Sequence, residues 1–596
     1  MTRRPRAASV EVLQNHLLAA AEEMGIVLIR AAYSPNIKER RDSSTAILDA
    51  DGQVVAQAAH IPMHLSSMMA LAEALFRAYP RTALGPGDMF VANDPYTAAG
   101  SHLNDLAVIA PVFVRGRLVA FVANAAHHAD VGGRVPGSES GDSRSIFQDG
   151  LRLPVARIMR GGRVEDGLLR TILLNSRTPD ERVGDLRAQF AANRAGAARV
   201  VELAASYGVE RLLSGMQAML DYTERRLREG LGTLPRGTWR AEAETDDDGV
   251  GGRGVTIRLA LTVGERVAVG GEAVRRTSRP NDAVTLDFTG TDPQMAGAKN
   301  VPVVSLLATI YYAIKSVVDP DIPANAGYYR AIRVIAPEGS VLNPRPPAAV
   351  AARFTTCQKV ADVVLSALAA AAPARAVARS HGGTLAIYSG TDPRGGHFFV
   401  DYEVYAGGGG ARSTKDGWDA MANHTTNTSN LPIESLEREY PILVERYELA
   451  ADSAGPGQYR GGLGATRVVR GLDTTITVGG WGCDQQLPPR GLAGGADGVP
   501  GAFTFDADGG ARVVRSTVAG IALDAGAHLT VSTAGGGGFG DALARDPNRV
   551  LADVREGTVT VEHARDAYGV VIRNDAIDEP ATDTLRGQRR RETSHG

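Results

Sequence analysis

Apolar residues recur at helical spacing near the start of the chain. Leu13, Leu17, Ala20, Ala21, Met24 and Leu28 form one stripe of a helix expected from Val10 to about Ala32, with Ser9 as its cap. The period then shortens. Thr45–Leu48 and Val54–Ala58 flank the turn Asp49-Ala50-Asp51-Gly52 as a hairpin. A helix over Ser66–Tyr79 leads through Leu84-Gly85-Pro86-Gly87 to a strand at Met89–Ala92. Two longer apolar runs, Leu106–Val114 and Leu118–Ala125, meet at a short Arg-Gly-Arg turn and read as a second hairpin. From about Leu168 to Leu231 the pattern is helical again. Its charge run of Asp180, Glu181, Arg182, Asp185 and Arg187 reads as a solvated face.

The texture changes after Gly237. Val255–Val263 and Val284–Phe288 read as short strands between acidic, glycine-rich turns such as Asp246-Asp247-Asp248-Gly249. Helices are expected over Val301–Val318 and Thr355–Ala371, and strands with glycine-rich loops from about 380 to 540. One helix, His563–Tyr568, precedes a basic tail with Arg586, Arg589, Arg590 and Arg591, which reads as disordered. The expected organisation is a multidomain α+β chain: an N-terminal helix and hairpin region over 1–235, a mixed and then β-rich region over 236–545, and a tail over 546–596.

Composition narrows the class. At 596 residues the chain exceeds one ordinary core, and a formal charge of −3 gives no electrostatic reason for nucleic acid or membrane as partner. Two cysteines, Cys357 and Cys483, exclude a disulfide framework and a thiolate metal cage. Cys357 opens a helical pattern, yet a buried structural thiol is the preferred reading over a nucleophile. The stretch MTRRPRAASVEVLQNHLL resembles no secretory signal, and Val301–Val318 is interrupted by Ser305, Thr309 and Lys315. A cytoplasmic protein is expected.

The chemistry concentrates in Asn93–Gly133. It holds His102, His127 and His128, with Asp94, Asp105 and Asp130 close by, and His60 and His64 lie upstream. The second hairpin would fold His102 and Asp105 back towards the histidine pair. His102, Asp105 and His127 would then make a two-imidazole, one-carboxylate set for Mn, Fe(II) or Zn, with open positions for water. Neighbouring residues on a strand point to opposite faces, so only one of His127 and His128 should reach the ion. The segment Pro136–Ser143 reads as an exposed loop over the site. Gly535–Gly540 matches a dinucleotide fingerprint literally, but Pro547 soon follows and no βαβ unit is evident, so a structural glycine turn is expected. No GxxxxGK[ST] sequence occurs. Nucleotide chemistry is expected in a partner.

Eight segments in order resemble the hydantoinase B family, the B-type subunits of ATP-dependent hydantoinases, 5-oxoprolinases and related acetone- or acetophenone-type carboxylases. They are SPNIKERRDSSTAILDADGQVVAQAAHIPMHLSSM, NDPYTAAGSHLNDLAVIAPVF, ANAAHHADVGG, TGTDPQMAGAKNVPVV, FTTCQKVADVVLSAL, HTTNTSNLPIESLEREYPILVERYEL, YRGGLGATRVVR and GGGGFGD. Asn104, Ala99, Ala454 and the pair Cys483-Asp484 depart from the usual pattern. The resemblance implies a hydantoinase A-type partner subunit that binds ATP, and metal ligands at His102, Asp105 and His127. Manganese is the first expectation, with zinc or iron as alternatives. The expected reaction is opening of a cyclic amide such as a hydantoin, N-methylhydantoin or 5-oxoproline. His128, Asp130 or His64 would serve as general base, His128 first. A subunit of a ketone carboxylase and a non-catalytic scaffold are the alternative readings.

Overall fold

The computed structural model describes residues 7–595 apart from 65, 99, 265–272, 276–282, 423 and 508–509. The side chain of Ser9 and the departure at Ala99 lie outside them. Helix α1 (Ala7–Ala31) buries the stripe Leu13, Leu17, Ala20, Ala21, Met24 and Leu28. It is long and apolar enough to pass for a membrane span, but this stripe packs on helix and sheet. A short α2 (Pro35–Lys38) follows, then β1 (Ser43–Asp49), β2 (Val54–Gln57), α3 (Ser67–Ala78), β3 (Met89–Ala92), β4 (Asp105–Val114), β5 (Arg117–His127), β6 (Ala156–Arg160) and β7 (Arg163–Val164).

These strands form one sheet in the order β2-β1-β5-β4-β3-β6-β7. Both expected hairpins are present. The β4–β5 turn uses left-handed backbone at Arg115 (φ 50°) and Gly116 (φ 79°), which matches the twist of the paired strands. β1 is buried along its whole length, because sheet neighbours flank it and α1 packs against it.

Three helices follow: α4 (Asp166–Leu174), α5 (Pro179–Tyr207), which packs on α1, and α6 (Val209–Leu231). The charge run expected to be solvated departs from that expectation at two positions. Arg182 and Asp185 are buried and joined at 3.0 Å, and the Asp185 carboxylate accepts the backbone N–H groups of Tyr33 (2.9 Å) and Ser34 (3.0 Å). The link from α1 to α2 leaves these donors without backbone partners, and a buried donor requires an acceptor.

A second sheet combines β8 (Gly237–Glu244), β9 (Thr256–Val263), β10 (Ala273–Arg275), β11 (Val284–Asp287) and β12 (Ile332–Ile335) in the order β10-β12-β11-β9-β8. With it come α7 (Val303–Val318), α8 (Ala326–Tyr329) and α9 (Arg353–Ala371). One apolar core runs from Leu13 to Leu368 across both sheets and the helices packed on them. α9 begins two residues earlier than its apolar period suggested, and so includes Arg353.

Beyond β13 (Thr384–Thr391) and β14 (Phe398–Tyr405) come α10 (Ile433–Glu439), β15 (Ile442–Leu449), β16 (Ala465–Gly471), β17 (Ile476–Gly482), β18 (Ala502–Ala507), β19 (Gly510–Val514), β20 (Thr517–Leu523) and β21 (His528–Ser532). They build sheets β14-β13-β17-β20 and β15-β16-β21-β18-β19 around a shared core that includes Tyr388, Phe399, Val478, Phe503 and Val531. Glycine-rich loops stack at one side. Gly462 N donates to Gly409 O (2.7 Å), Gly536 N to Gly462 O (2.9 Å) and Gly455 N to Gly536 O (2.8 Å). A Cβ on Gly536 would stand 2.1 Å from the Gly409 oxygen. The run Gly535–Gly540 is therefore backbone packing, as the glycine-turn reading expects.

The tail is not disordered. α11 (Pro547–Arg555) and α12 (Val561–Tyr568) are followed by α13 (Glu579–His595). Arg586 donates to Tyr568 O (3.0 Å) and Arg545 O (2.8 Å), and Arg590 to Leu543 O (3.1 Å). Basic side chains here satisfy carbonyls at the ends of neighbouring segments.

Candidate metal centre

The register of β4 against β5 sets Asp105 directly opposite His127. His102 lies in the turn before β4, where Asp105 N donates to His102 O at 3.3 Å. One ligand atom from each of His102, Asp105 and His127 falls within 4.8 Å of the others, and all three residues are buried. His102 Nε2 is 3.2 Å from Asp105 Oδ1, and the His102 and His127 rings are 4.9 Å apart between centroids.

Glu139 completes the cluster, with Oε1 at 2.8 Å from His102 Nδ1 and 3.4 Å from His127 Nε2. Both ring nitrogens of His102 and Asp105 Oδ1 are buried without a well-formed hydrogen bond among the described residues. Buried polar atoms in this state ask for another partner. Imidazole and carboxylate donors converging at this spacing fit a divalent first-row cation.

His64, buried beside β1, has Nε2 at 3.4 Å from Asp105 Oδ2 and Nδ1 at 3.0 Å from Ser44 Oγ. Ser101 Oγ also donates to Asp105 Oδ2, and Arg353 Nη2 lies 2.8 Å from Ser101 Oγ and 3.5 Å from that same carboxylate oxygen. Burial alone would raise the Asp105 pKa, but the imidazoles of His102 and His64 hold it well below the usual carboxylate range. Burial likewise opposes ionisation of Glu139, and His102 and His127 overcome it. For His102, burial and Arg353 disfavour the charged form, while Asp105 and Glu139 outweigh them and raise its pKa.

The two adjacent histidines separate as strand alternation predicts. His127 faces the cluster and its Nδ1 lies 2.6 Å from Asn36 Nδ2. Asn36 Nδ2 also donates to His127 O (3.0 Å) and Asn36 Oδ1 accepts from Arg40 Nη1 (3.4 Å), which fixes the amide against the ring. His128 points the other way, with Nε2 3.0 Å from Gln189 Oε1, and burial lowers its pKa to about 4. Asp130 accepts from Arg177 Nη1 (2.9 Å), Arg177 N (2.9 Å) and Gly137 N (3.1 Å). Of the three residues expected as general base, the structure brings His64 to the cluster. It turns His128 towards α5 and commits Asp130 to shaping the following loop.

That loop is not an exposed cover. Ser138, Glu139, Ser140 and Ser143 are buried, and Tyr402 from β14 donates its hydroxyl to Gly137 O. Sequence reasoning passed over Glu139, whose one signal was a carboxylate, with Asp142, in the glycine- and serine-rich run Gly137–Ser143. Arg353 and Asn36 gave no local signal at all. The cluster opens on a cavity of about 70 Å³ walled by residues of the first sheet, α9 and the β14-β13-β17-β20 sheet, among them Phe354, Tyr402 and Trp481. There is room for water beside an ion.

A buried two-histidine, one-carboxylate cluster, a candidate metal centre, lies in a multidomain fold of mixed helices and sheets of α+β class. Residues 6–542 match the Hydantoinase B/oxoprolinase family, and the chain belongs to it. It is 31% identical to a protein of Pseudomonas sp. (strain NS671) named as the B-type component of a D-/L-hydantoinase, over 97% of each chain. The crystal structure of the ATP-dependent caprolactamase from Pseudomonas jessenii is similar with a TM-score of 0.87 and 28% identity, covering 98% of this chain and all of that one. A nucleotide-free acetone carboxylase structure, at 20% identity and a TM-score of 0.86, covering 98% of this chain and 83% of that one, shares the fold.

Proposed function

We propose that this chain is the B-type subunit of a two-component, ATP-dependent hydrolase that opens a cyclic amide. The reading is carried by one observation: the β4–β5 register that opposes Asp105 and His127 and gathers His102 beside them. Membership of a family with hydantoinase- and caprolactamase-named relatives supports it. An A-type partner would bind ATP and transfer its terminal phosphoryl group to the amide oxygen, since a ring amide is a poor electrophile. The absence of any P-loop sequence here supports that division of labour.

His102, Asp105 and His127 would hold a divalent ion, manganese in preference to zinc or iron. Such an ion lowers the pKa of a bound water and polarises an oxygen of the substrate. His64, bonded to Ser44, would take a proton from the attacking water. The carbon–nitrogen bond then breaks with a proton delivered to the departing nitrogen, and a second water releases phosphate from the carboxyl. Arg353 is placed to balance the developing negative charge. Two buried, unpaired cysteines suit a reducing, cytoplasmic setting.

The test is co-expression with the ATP-binding subunit and assay of ring opening of hydantoin, N-methylhydantoin, 5-oxoproline and caprolactam. ATP-dependent release of a ring-opened acid with ADP and phosphate is expected, and this chain alone should not hydrolyse ATP. Turnover confined to small ketones with bicarbonate would overturn the hydrolase reading.

A further inference from the structure

His127 has a carboxylate residue beside it on each neighbouring strand. β4 sets Asp105 opposite it, and on the other side β1 runs antiparallel to β5 with Ser43 opposite Ala126. The same register carried one residue further brings Asp42 opposite His127, and His127 N donates to Asp42 O at 3.0 Å. Residues opposed across an antiparallel pair send their side chains to one face. Asp42, His127 and Asp105 therefore form a row across β1, β5 and β4 on the face that carries the cluster. Ser44, two residues along β1 and so on the same face, reaches His64 there.

Asp42 differs from the other acids of the metal-site cavity. Asp105 and Glu139 are buried and held by imidazoles. Asp42 lines the same cavity but is partly exposed, at a mouth it shares with Thr426 and Thr428. Its carboxylate has no hydrogen bond or ion pair among the described residues. The arginines of the wall are engaged elsewhere, Arg40 with Asp401 and Glu403, and Arg353 with Ser101 and Asp105. Asp42 also stays outside the ligand set that converges within 4.8 Å. It stands one strand from His127, about 5 Å away in the plane of the sheet.

A free carboxylate in that place is an acceptor without a donor, and a cyclic amide brings one. A small ring holds its amide cis, with the carbonyl oxygen and the N–H on one edge, whereas an open-chain secondary amide is trans and opposes them. We propose that Asp42 determines specificity for the cis amide edge: it accepts the ring N–H while the carbonyl oxygen lies at the His102, Asp105 and His127 centre. The inference rests on the cyclic-amide reading of this site and adds the group that reads the nitrogen. Trans and N-alkylated amides leave the carboxylate desolvated without a donor and are rejected.

Ligand-observed NMR titration of the zinc-loaded full chain with 2-pyrrolidinone, N-methyl-2-pyrrolidinone and N-methylacetamide tests this. 2-Pyrrolidinone is expected to bind at least roughly tenfold more tightly than either of the others, as a hydrogen bond to a charged group allows. Asp42→Ala should bind the two lactams equally, and Asp42→Asn, which keeps a neutral acceptor, should retain a smaller preference. Both variants should keep their zinc and the native circular dichroism.

Loss of zinc from Asp42→Ala would make this residue a ligand and overturn the proposal. Equal binding of the amides by the unaltered chain, binding of none, or an unchanged preference in Asp42→Ala would overturn it too. Ring opening by the complex with the ATP-binding subunit is read separately. An N–H preference that Asp42→Ala abolishes, without ATP-dependent ring opening, would support the role of Asp42 and overturn the hydrolase reading instead.

Discussion

Asp105 and His127 are directly opposed partners across the β4–β5 hairpin. One register therefore sets both halves of the cluster and sends His128 to the far side of the sheet, against Gln189. A slip of one residue would exchange the two histidines. The centre is fixed by strand geometry, and substitutions at the two histidines should separate cleanly.

His102→Gln and Asp105→Asn are each expected to lose the bound divalent ion while keeping the native circular dichroism. His128→Gln should retain it. Elemental analysis of the dialysed proteins checks this, and full metal content in either of the first two variants would refute the ligand assignment.

Asn36 touches His127 on both its ring nitrogen and its carbonyl. Asn36→Ala should leave the three ligands in place but weaken metal affinity by roughly 10–100-fold, as loss of an orienting partner does elsewhere. Competition with a chromophoric chelator measures it.

Glu403 receives Arg40 at 2.7 Å and Arg467 on its other oxygen, all within the interior. Glu403→Gln strands the Arg467 guanidinium and leaves Arg40 with Asp401 alone, and a loss of about 3–5 kcal/mol is expected. A lowered urea midpoint with an unchanged slope would be the signature.

Asp149 gives a pH dependence with a definite sign. Burial raises its pKa from 3.8 to about 7 in the folded chain, against the hydrogen bond from Val350 N. The folded form thus keeps a proton that the unfolded form gives up. Its contribution is complete below the unfolded pKa, falls as pH rises towards about 7 and is flat above it. Asp149→Asn should abolish that slope and stabilise the chain above pH 7, by an amount of order 4 kcal/mol. Stability measured at pH 5 and pH 8 decides it.

Cys357 and Cys483 are buried, and burial raises both thiols, Cys357 to about 11. Neither should react with iodoacetamide in the native chain, and both should react once it is unfolded. Native labelling of Cys357 would restore it as a candidate nucleophile.

The local parts of this centre were legible in the sequence. Two apolar runs joined by a short turn are enough to oppose the Asp105 end of one strand to the His127 end of the next. Alternation also separates His127 from His128. Glu139, Arg353 and Asn36 were not legible, because other elements bring them in: a loop held under Tyr402, the first residue of α9, and the short helix α2. Arg182 and Asp185 misled for the same reason. Their charge pattern is that of a wet helix face, and only the open N–H groups of Tyr33 and Ser34 draw them inside. The tail failed by composition, since arginines that read as a solvated run instead bond the carbonyls of Tyr568, Arg545 and Leu543.

The stacked glycine loops carry a spectroscopic consequence. Gly409, Gly462 and Gly536 lie outside every helix and strand, so circular dichroism would score them as irregular chain. Their amides are nevertheless bonded within a buried layer with no side chain to loosen it. In deuterium oxide this apparent coil should hold its protons as long as the central strands do.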